Sequence, residues 1–184
     1  MSVTDVAIKG THNIANALAA LALGHSAKLP MQAMLDTLKV YRGLPHRCEN
    51  VGEVDGALYI DDSKGTNVGA TLAAINGFGK PGSRNLILIA GGQGKGQDFS
   101  PLQAAAIDFI KHSILFGEDS TSIAEILNTV VDTRVVESLE AAVDQAHQLA
   151  SVGDLVLLSP GCASFDMFTG FEERGVRFQG AVNQ

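Results

Sequence analysis

The chain has no tryptophan, only two tyrosines, five prolines and two cysteines among 184 residues. Cys48 and Cys162 lie far apart, and no Cys-x-x-Cys or Cys/His spacing occurs. A disulfide scaffold and a thiolate metal centre are therefore excluded as organising features, and two lone thiols fit a reducing compartment. Lys and Arg nowhere cluster, and 13 basic against 20 acidic residues leave a net charge of −7. That balance argues against nucleic acid or a membrane surface as partner. The opening "MSVTDVAIKG" lacks the basic and apolar regions of a signal peptide. The longest apolar stretch, "IANALAALALG", is too short to span a bilayer and reads as a buried helix.

What is present is a chain that is 46% hydrophobic, enough for one domain or one domain plus part of another. Residues 3–8 alternate weakly, as at a strand end. Two helical stretches follow, the second, "PMQAMLDTLKVY", opened by Pro30 with Met31 and Met34 expected in a core. "RGLPHR" breaks the pattern at Gly43 and Pro45 and sets a boundary after residue 43. Beyond it the rhythm is strand, turn, helix. "CENVGEV" and "ALYID" predict a hairpin about Asp55-Gly56. "NLILIAGG" and "GDLVLLSPG" are continuous apolar runs of the kind buried on both faces. Helices are predicted over roughly 67–77, over "SPLQAAAIDFIKH" with Ser100 as cap, over "SLEAAVDQAHQLA" with Ser138 as cap, and over the closing "DMFTGFEERGVRFQGAVNQ". The alternation predicts an α/β fold with a Rossmann-like, doubly wound, mostly parallel sheet.

In such sheets ligands gather at the carboxyl ends of the strands. Three loops leave those ends with unusual content: "DDSKGTN" (61–67), "GGQGKGQDF" (91–99) and "SPGCASFDMF" (159–168). They place Asp62, Lys64, Thr66, Lys95, Ser159 and Ser164 on one edge. The middle loop is not a phosphate loop, because Ile89 and Gly96 stand where Gly and Ser or Thr are needed. It still offers backbone N–H groups and an ammonium to an anion. Each feature also has a plain structural reading. Lys95 reads foremost as a solvated turn residue, Asp61-Asp62 reads equally as helix caps, and Ser164 reads as a cap whatever else it does. Asn13 and Asn16, three apart on one helix face, read equally as satisfying nearby backbone, and His46-Arg47 as a surface turn. No Ser–His–Asp or Cys–His arrangement is visible. Pattern alone ends at an α/β domain with an anion site.

The strings "GTHNIANALAALAL", "GLPHRCE", "DDSKGTNVGATLAAI", "GGQGKGQDFSPL" and "LLSPGCASFDMFTGFEERGVRF" resemble consecutive signatures of the Mur ligase family. They run in order over nearly the whole chain, and resemble the D-glutamate-adding branch above all. The resemblance implies a cytoplasmic bacterial enzyme of peptidoglycan precursor synthesis. It would be monomeric and join D-glutamate to UDP-N-acetylmuramoyl-L-alanine with ATP and Mg2+ through an acyl phosphate. Residues 1–43 would then be the end of the central ATP-binding domain and 44–184 the C-terminal, D-glutamate-binding domain. The family's phosphate loop and magnesium ligands have no counterpart here, so no metal-binding residue is assigned and the chain alone is expected to be inactive.

Carried over residue by residue, the resemblance implies that Asp62 holds the ATP ribose and Arg47 reaches the phosphates. Asn13 and Asn16 would lie near the adenine. Lys64 and His46 would belong to the reaction centre. Thr66, Lys95, Ser164 and Phe171 would bind D-glutamate, Phe171 through its backbone. Asp61 receives no role beyond capping. The alternatives are another Mur-type or folylpolyglutamate-type ligase, or a binding module without catalysis.

Overall fold

The computed structural model describes residues 1–8, 10–80 and 82–184, with Thr11 and His12 described in their backbone alone. The chain divides into two compact units, Met1–Leu44 and Pro45–Gln184.

The first unit contains no strand among its described residues. Where alternation at 3–8 suggested a strand end, Val3–Asp5 forms a 3-10 turn closed by a capping box between Ser2 and Asp5. Helices α1 (Thr11–Ser26) and α2 (Met31–Val40) follow. They approach closely at Gly24, where a Cβ would stand 2.2 Å from the Met34 sulfur. The expectation of a buried α1 and a core Met31 is corrected. Leu18 is 62% exposed, Leu23 73% and Met31 42%, and α2 buries no residue. A helix that is apolar on every side needs partners on every side, and among the described residues of this unit the helix that packs against α1 is α2.

The second unit is a six-stranded sheet in the order β1-β2-β6-β3-β4-β5. Strands β1 (Glu49–Val54) and β2 (Ala57–Asp61) form the expected antiparallel hairpin. Its turn residues, Asp55 at φ 49° and Gly56 at φ 81°, have the left-handed backbone that a tight two-residue hairpin requires. Strands β3 (Leu86–Gly91), β4 (Ile110–Phe116), β5 (Asp132–Val135) and β6 (Leu155–Leu158) are parallel to β2. Two boundaries differ from the sequence reading. "IKH" belongs to β4, so α4 spans only Leu102–Phe109, with Pro101 rather than Ser100 at its cap position. The closing helix α7 starts at Phe171, not near 166.

Helices cover both faces. The sheet alternation sends Leu86, Leu88, Leu115, Leu155 and Leu157 into a core with α3 (Val68–Phe78), α4 and α5 (Ser120–Leu127). Ile87, Ile89, Ile114, Val156 and Leu158 enter the opposite core with α6 (Leu139–Leu149) and α7. The chain passes from β2 through α3 to β3, runs out to β5, then returns through α6 to insert β6 between β2 and β3. That reversal is the topological switch point of a doubly wound sheet, the position at which ligands bind in sheets of this kind.

Leu157 is fully buried in the middle of the sheet. Leu157→Ala is expected to cost about 2–5 kcal/mol of unfolding free energy, read by urea denaturation. A loss below 1 kcal/mol would mean that this part of the core collapses freely around the void.

Candidate functional site

Strands β2, β6 and β3 are neighbours, and Asp61 and Ile89 both pair with Leu158. Their carboxyl ends are therefore level, and the three polar loops leave the sheet side by side. Backbone bonds join them. Gly161 donates to the Gly65 carbonyl at 2.8 Å, Gly91 to Pro160 at 2.9 Å, and Gln93 and Ala163 exchange a pair of bonds at 2.9 Å. Gly92 allows that approach, since a Cβ there would lie 2.3 Å from the Ala163 oxygen.

Consecutive side chains at a strand end point to opposite sides, and the Asp61-Asp62 pair uses this. Neither residue caps α3, because Asn67 does so by accepting the Ala70 N–H. Asp61 is fully buried. Its Oδ2 meets His46 Nδ1 at 2.7 Å and accepts from Gln179 Nε2 at 2.8 Å, while Oδ1 accepts the Ser63 N–H at 2.9 Å. Glu49 completes the cluster by accepting the His46 N–H and a second bond from Gln179. His46 Nδ1 and the two carboxylates thus lie within 4.8 Å of one another, a set with metal-ligand chemistry. Each ligand atom here is hydrogen-bonded within the protein. This cluster was not visible in the sequence, because its members come from three separate segments.

Asp62 faces the other way. Its Oδ2 accepts from Ser159 Oγ at 2.7 Å, and its Oδ1 from the Cys48 N–H at 3.2 Å and thiol at 3.5 Å. Burial pushes its carboxyl up to about 6, against the pull of those hydrogen bonds. Burial and the Asp62 carboxylate together push the Cys48 thiol far above its ordinary range.

Arg174 joins the loops to α7. It is fully buried. Its Nε donates to Ser63 Oγ at 3.0 Å, Nη2 to the carbonyls of Ser63 at 2.8 Å and Cys162 at 3.1 Å, and Nη1 to Ala163 at 3.4 Å. The Ser63 hydroxyl in turn donates to the Phe171 carbonyl at 2.8 Å. Burial lowers Arg174 to about 10, which leaves it charged at neutral pH. The sequence held a signal for it: Phe171, Arg174, Phe178 and Val182 fall on one helical stripe, and Arg174 is its only charge.

The structure brings together part of the expected set. Lys64 Nζ stands 3.7 Å above the Phe171 ring, and the His46 and Phe171 rings meet edge to face at 6.2 Å. Lys64 also donates its N–H to the His46 carbonyl. Thr66 lies in the same loop, half-buried. Lys95 is exposed at φ 55°, its ammonium 5.6 Å from the Phe165 ring centre. Ser164 is buried, and it is not a helix cap. Its carbonyl accepts from Met167 and Phe168 in a turn ahead of α7. Arg47 is exposed beside Cys48. Asn13 and Asn16 belong to the first unit, where the Asn16 amide donates to Asn13 Oδ1 at 3.4 Å.

The raised Asp62 value carries a stability consequence. The folded chain binds this proton more tightly than the unfolded chain, whose reference value is 3.8. Its contribution to stability therefore falls as pH rises from about 4 to about 6, and above that the buried charge costs on the order of 1–3 kcal/mol. Asp62→Asn is expected to raise the urea midpoint at pH 8 and to lose that advantage near pH 4.5. An equal effect at both pH values would refute the burial penalty.

Comparison with known proteins fits this architecture. The family described as Mur ligase, glutamate ligase domain, matches residues 46–162. The UDP-N-acetylmuramoylalanine–D-glutamate ligase of Acinetobacter baylyi is 51% identical over 183 residues, 98% of this chain and 41% of that protein. Its namesake in Pseudomonas aeruginosa is 51% identical over 184 residues, 100% of this chain and again 41% of that protein. The chain thus spans about two-fifths of the length of the curated relatives it matches. The MurF ligase of Thermotoga maritima, solved in complex with ADP, shares the fold with a TM-score of 0.67 at 16% identity, covering 95% of this chain and 39% of that one. The family match takes in the hairpin, the switch point and two of the three loops entire, and on that ground this chain belongs to the Mur ligase family.

Proposed function

We propose that this chain forms the amino-acid-binding part of an ATP-dependent ligase that adds D-glutamate to UDP-N-acetylmuramoyl-L-alanine. The observation that carries the reading is the 51% identity, along the whole chain, to ligases bearing that substrate in their name. The chemistry at the strand ends agrees. D-glutamate brings two carboxylates and an amine, and the loops bring ammonium groups, hydroxyls and backbone donors to one sheet edge.

In this reading Lys95 pairs with one D-glutamate carboxylate, and Thr66, Ser164 and the Phe171 backbone hold the rest of the molecule. Lys64 acts at the reaction centre with His46 beside it. Among the described residues Lys64 has no ion pair, and its charge rests on the Phe171 face. That leaves it available to the charge that develops when the D-glutamate amine attacks the acyl phosphate and phosphate departs. Asp62, held by Ser159 and the Cys48 N–H, keeps acceptor capacity for the paired hydroxyls of a ribose. Arg47 reaches the phosphates. Residues 1–43 are the end of a larger ATP-binding domain, where Asn13 and Asn16 approach the adenine; the exposed leucines of α1 favour that assignment. ATP supplies the phosphoryl group, and no residue of this chain is assigned to its Mg2+.

Titrating the chain with D-glutamate is expected to shift backbone amide resonances of residues 64–67, 91–98 and 159–171. Tighter binding of L-glutamate or meso-diaminopimelate would overturn the D-glutamate assignment. In the intact ligase, Lys95→Ala removes a charge-assisted pair and should raise the D-glutamate KM about 10- to 100-fold. An unchanged KM would return Lys95 to the solvated class.

A further inference from the structure

Gln97 stands two residues beyond Lys95 and takes the opposite course. Lys95 is exposed, whereas the Gln97 carboxamide is held between loops. Its Oε1 accepts the Val68 N–H at 2.9 Å, and its Nε2 donates to the Gly161 carbonyl at 2.6 Å. Val68 opens α3 two residues after Thr66, and Gly161 lies three residues before Ser164. One neutral amide therefore touches the three loops that carry Thr66, Lys95 and Ser164.

The chemistry of the two bonds demands this side chain. Val68 N–H needs an acceptor and Gly161 needs a donor, and a carboxamide of this reach supplies one of each. A glutamate would keep the first bond and set its charge against the Gly161 carbonyl. An alanine would keep neither. Gln97 also occupies the first N–H of α3, while Asn67 takes that of Ala70. The end of α3 is thereby partly closed by protein acceptors, which leaves side chains to read a ligand carboxylate.

We propose that Gln97 is a positioning residue of the amino-acid site. It fixes the spacing of the Thr66, Lys95 and Ser164 loops before the amino acid arrives, so that binding does not have to order them. The inference rests on the D-glutamate reading above. It goes beyond that reading because Gln97 touches no ligand and acts through its neighbours.

The test has two arms. In the chain itself, Gln97→Ala should speed hydrogen exchange of the Val68 amide at least about tenfold and leave that of Ile89, in the sheet core, unchanged. Equal Val68 exchange in both proteins would overturn the clip. In the intact ligase, Gln97→Ala and Gln97→Glu should each raise the D-glutamate KM about tenfold, with the ATP KM and the kcat at saturating D-glutamate within about twofold. A general loosening of the fold would instead move both KM values together, and that result, or an unmoved D-glutamate KM, would overturn the positioning role. A wild-type ligase with no D-glutamate-dependent turnover would remove the substrate reading and the positioning role with it. A normal wild-type rate with an unmoved KM would remove the role of Gln97 alone.

Discussion

The buried guanidinium of Arg174 is the constraint on which the rest of the site depends. Four contacts from one planar group fix the Ser63 and Cys162–Ala163 backbones against α7. None of its hydrogen-bond acceptors is charged, so its desolvation is offset by these bonds together with the field of the Asp166, Asp61 and Asp62 carboxylates, none of which it touches directly. A lysine could not replace it, because an ammonium has three donors on a single atom and cannot span acceptors from two loops. Ser63 extends the arrangement by accepting from Arg174 and donating to Phe171, which sets the ring that supports Lys64. The first turn of α7 and the end of β2 are thus placed by the same side chain.

A second constraint is the handling of adjacent acids. Two carboxylates in sequence would repel if they shared an environment. The strand end separates them, and each meets different partners. Asp61 receives His46, Gln179 and a backbone N–H. Asp62 receives a hydroxyl, a thiol and one backbone N–H, which offset its burial only in part, so its carboxyl stays raised. In the proposed reading function and stability pull apart at Asp62: the group that would hold a ligand hydroxyl is the one whose charge destabilises the free protein.

Much of this was legible in the sequence, and the gaps have physical causes. The hairpin at Asp55-Gly56, the cap at Ser138 and the apolar runs of β3 and β6 are local signals, and local structure followed them. The three loops could be placed on one edge because parallel strands align their ends. What could not be read were contacts between distant segments. Asp61 looked like a spare cap because His46, Glu49 and Gln179 lie 15, 12 and 118 residues away. Helix α1 looked buried because its composition is apolar, but burial depends on partners that composition does not supply. Ser164 looked like a cap because a hydroxyl before an apolar run usually is one. Instead six residues of turn and loop separate it from α7.

Backbone hydrogen bonds tie the three loops to one another, and the side chains they carry differ in how far they are prepared. Lys64 already rests on an aromatic face, so part of its rotamer freedom is lost before any ligand binds. Lys95 is exposed and only loosely near Phe165, so any partner that fixes its ammonium must order the side chain, at a cost of roughly 1.5–2 kcal/mol. Lys95 projects from a left-handed residue beside Gly96, which is also left-handed at φ 71°. The loop thus fixes where the stem leaves the backbone and leaves the ammonium to move. In the proposed reading, a rigid base with a mobile charge would suit Lys95 to a ligand held by its carboxylate and later released, and the constrained Lys64 would suit a group that stands in one place while bonds change.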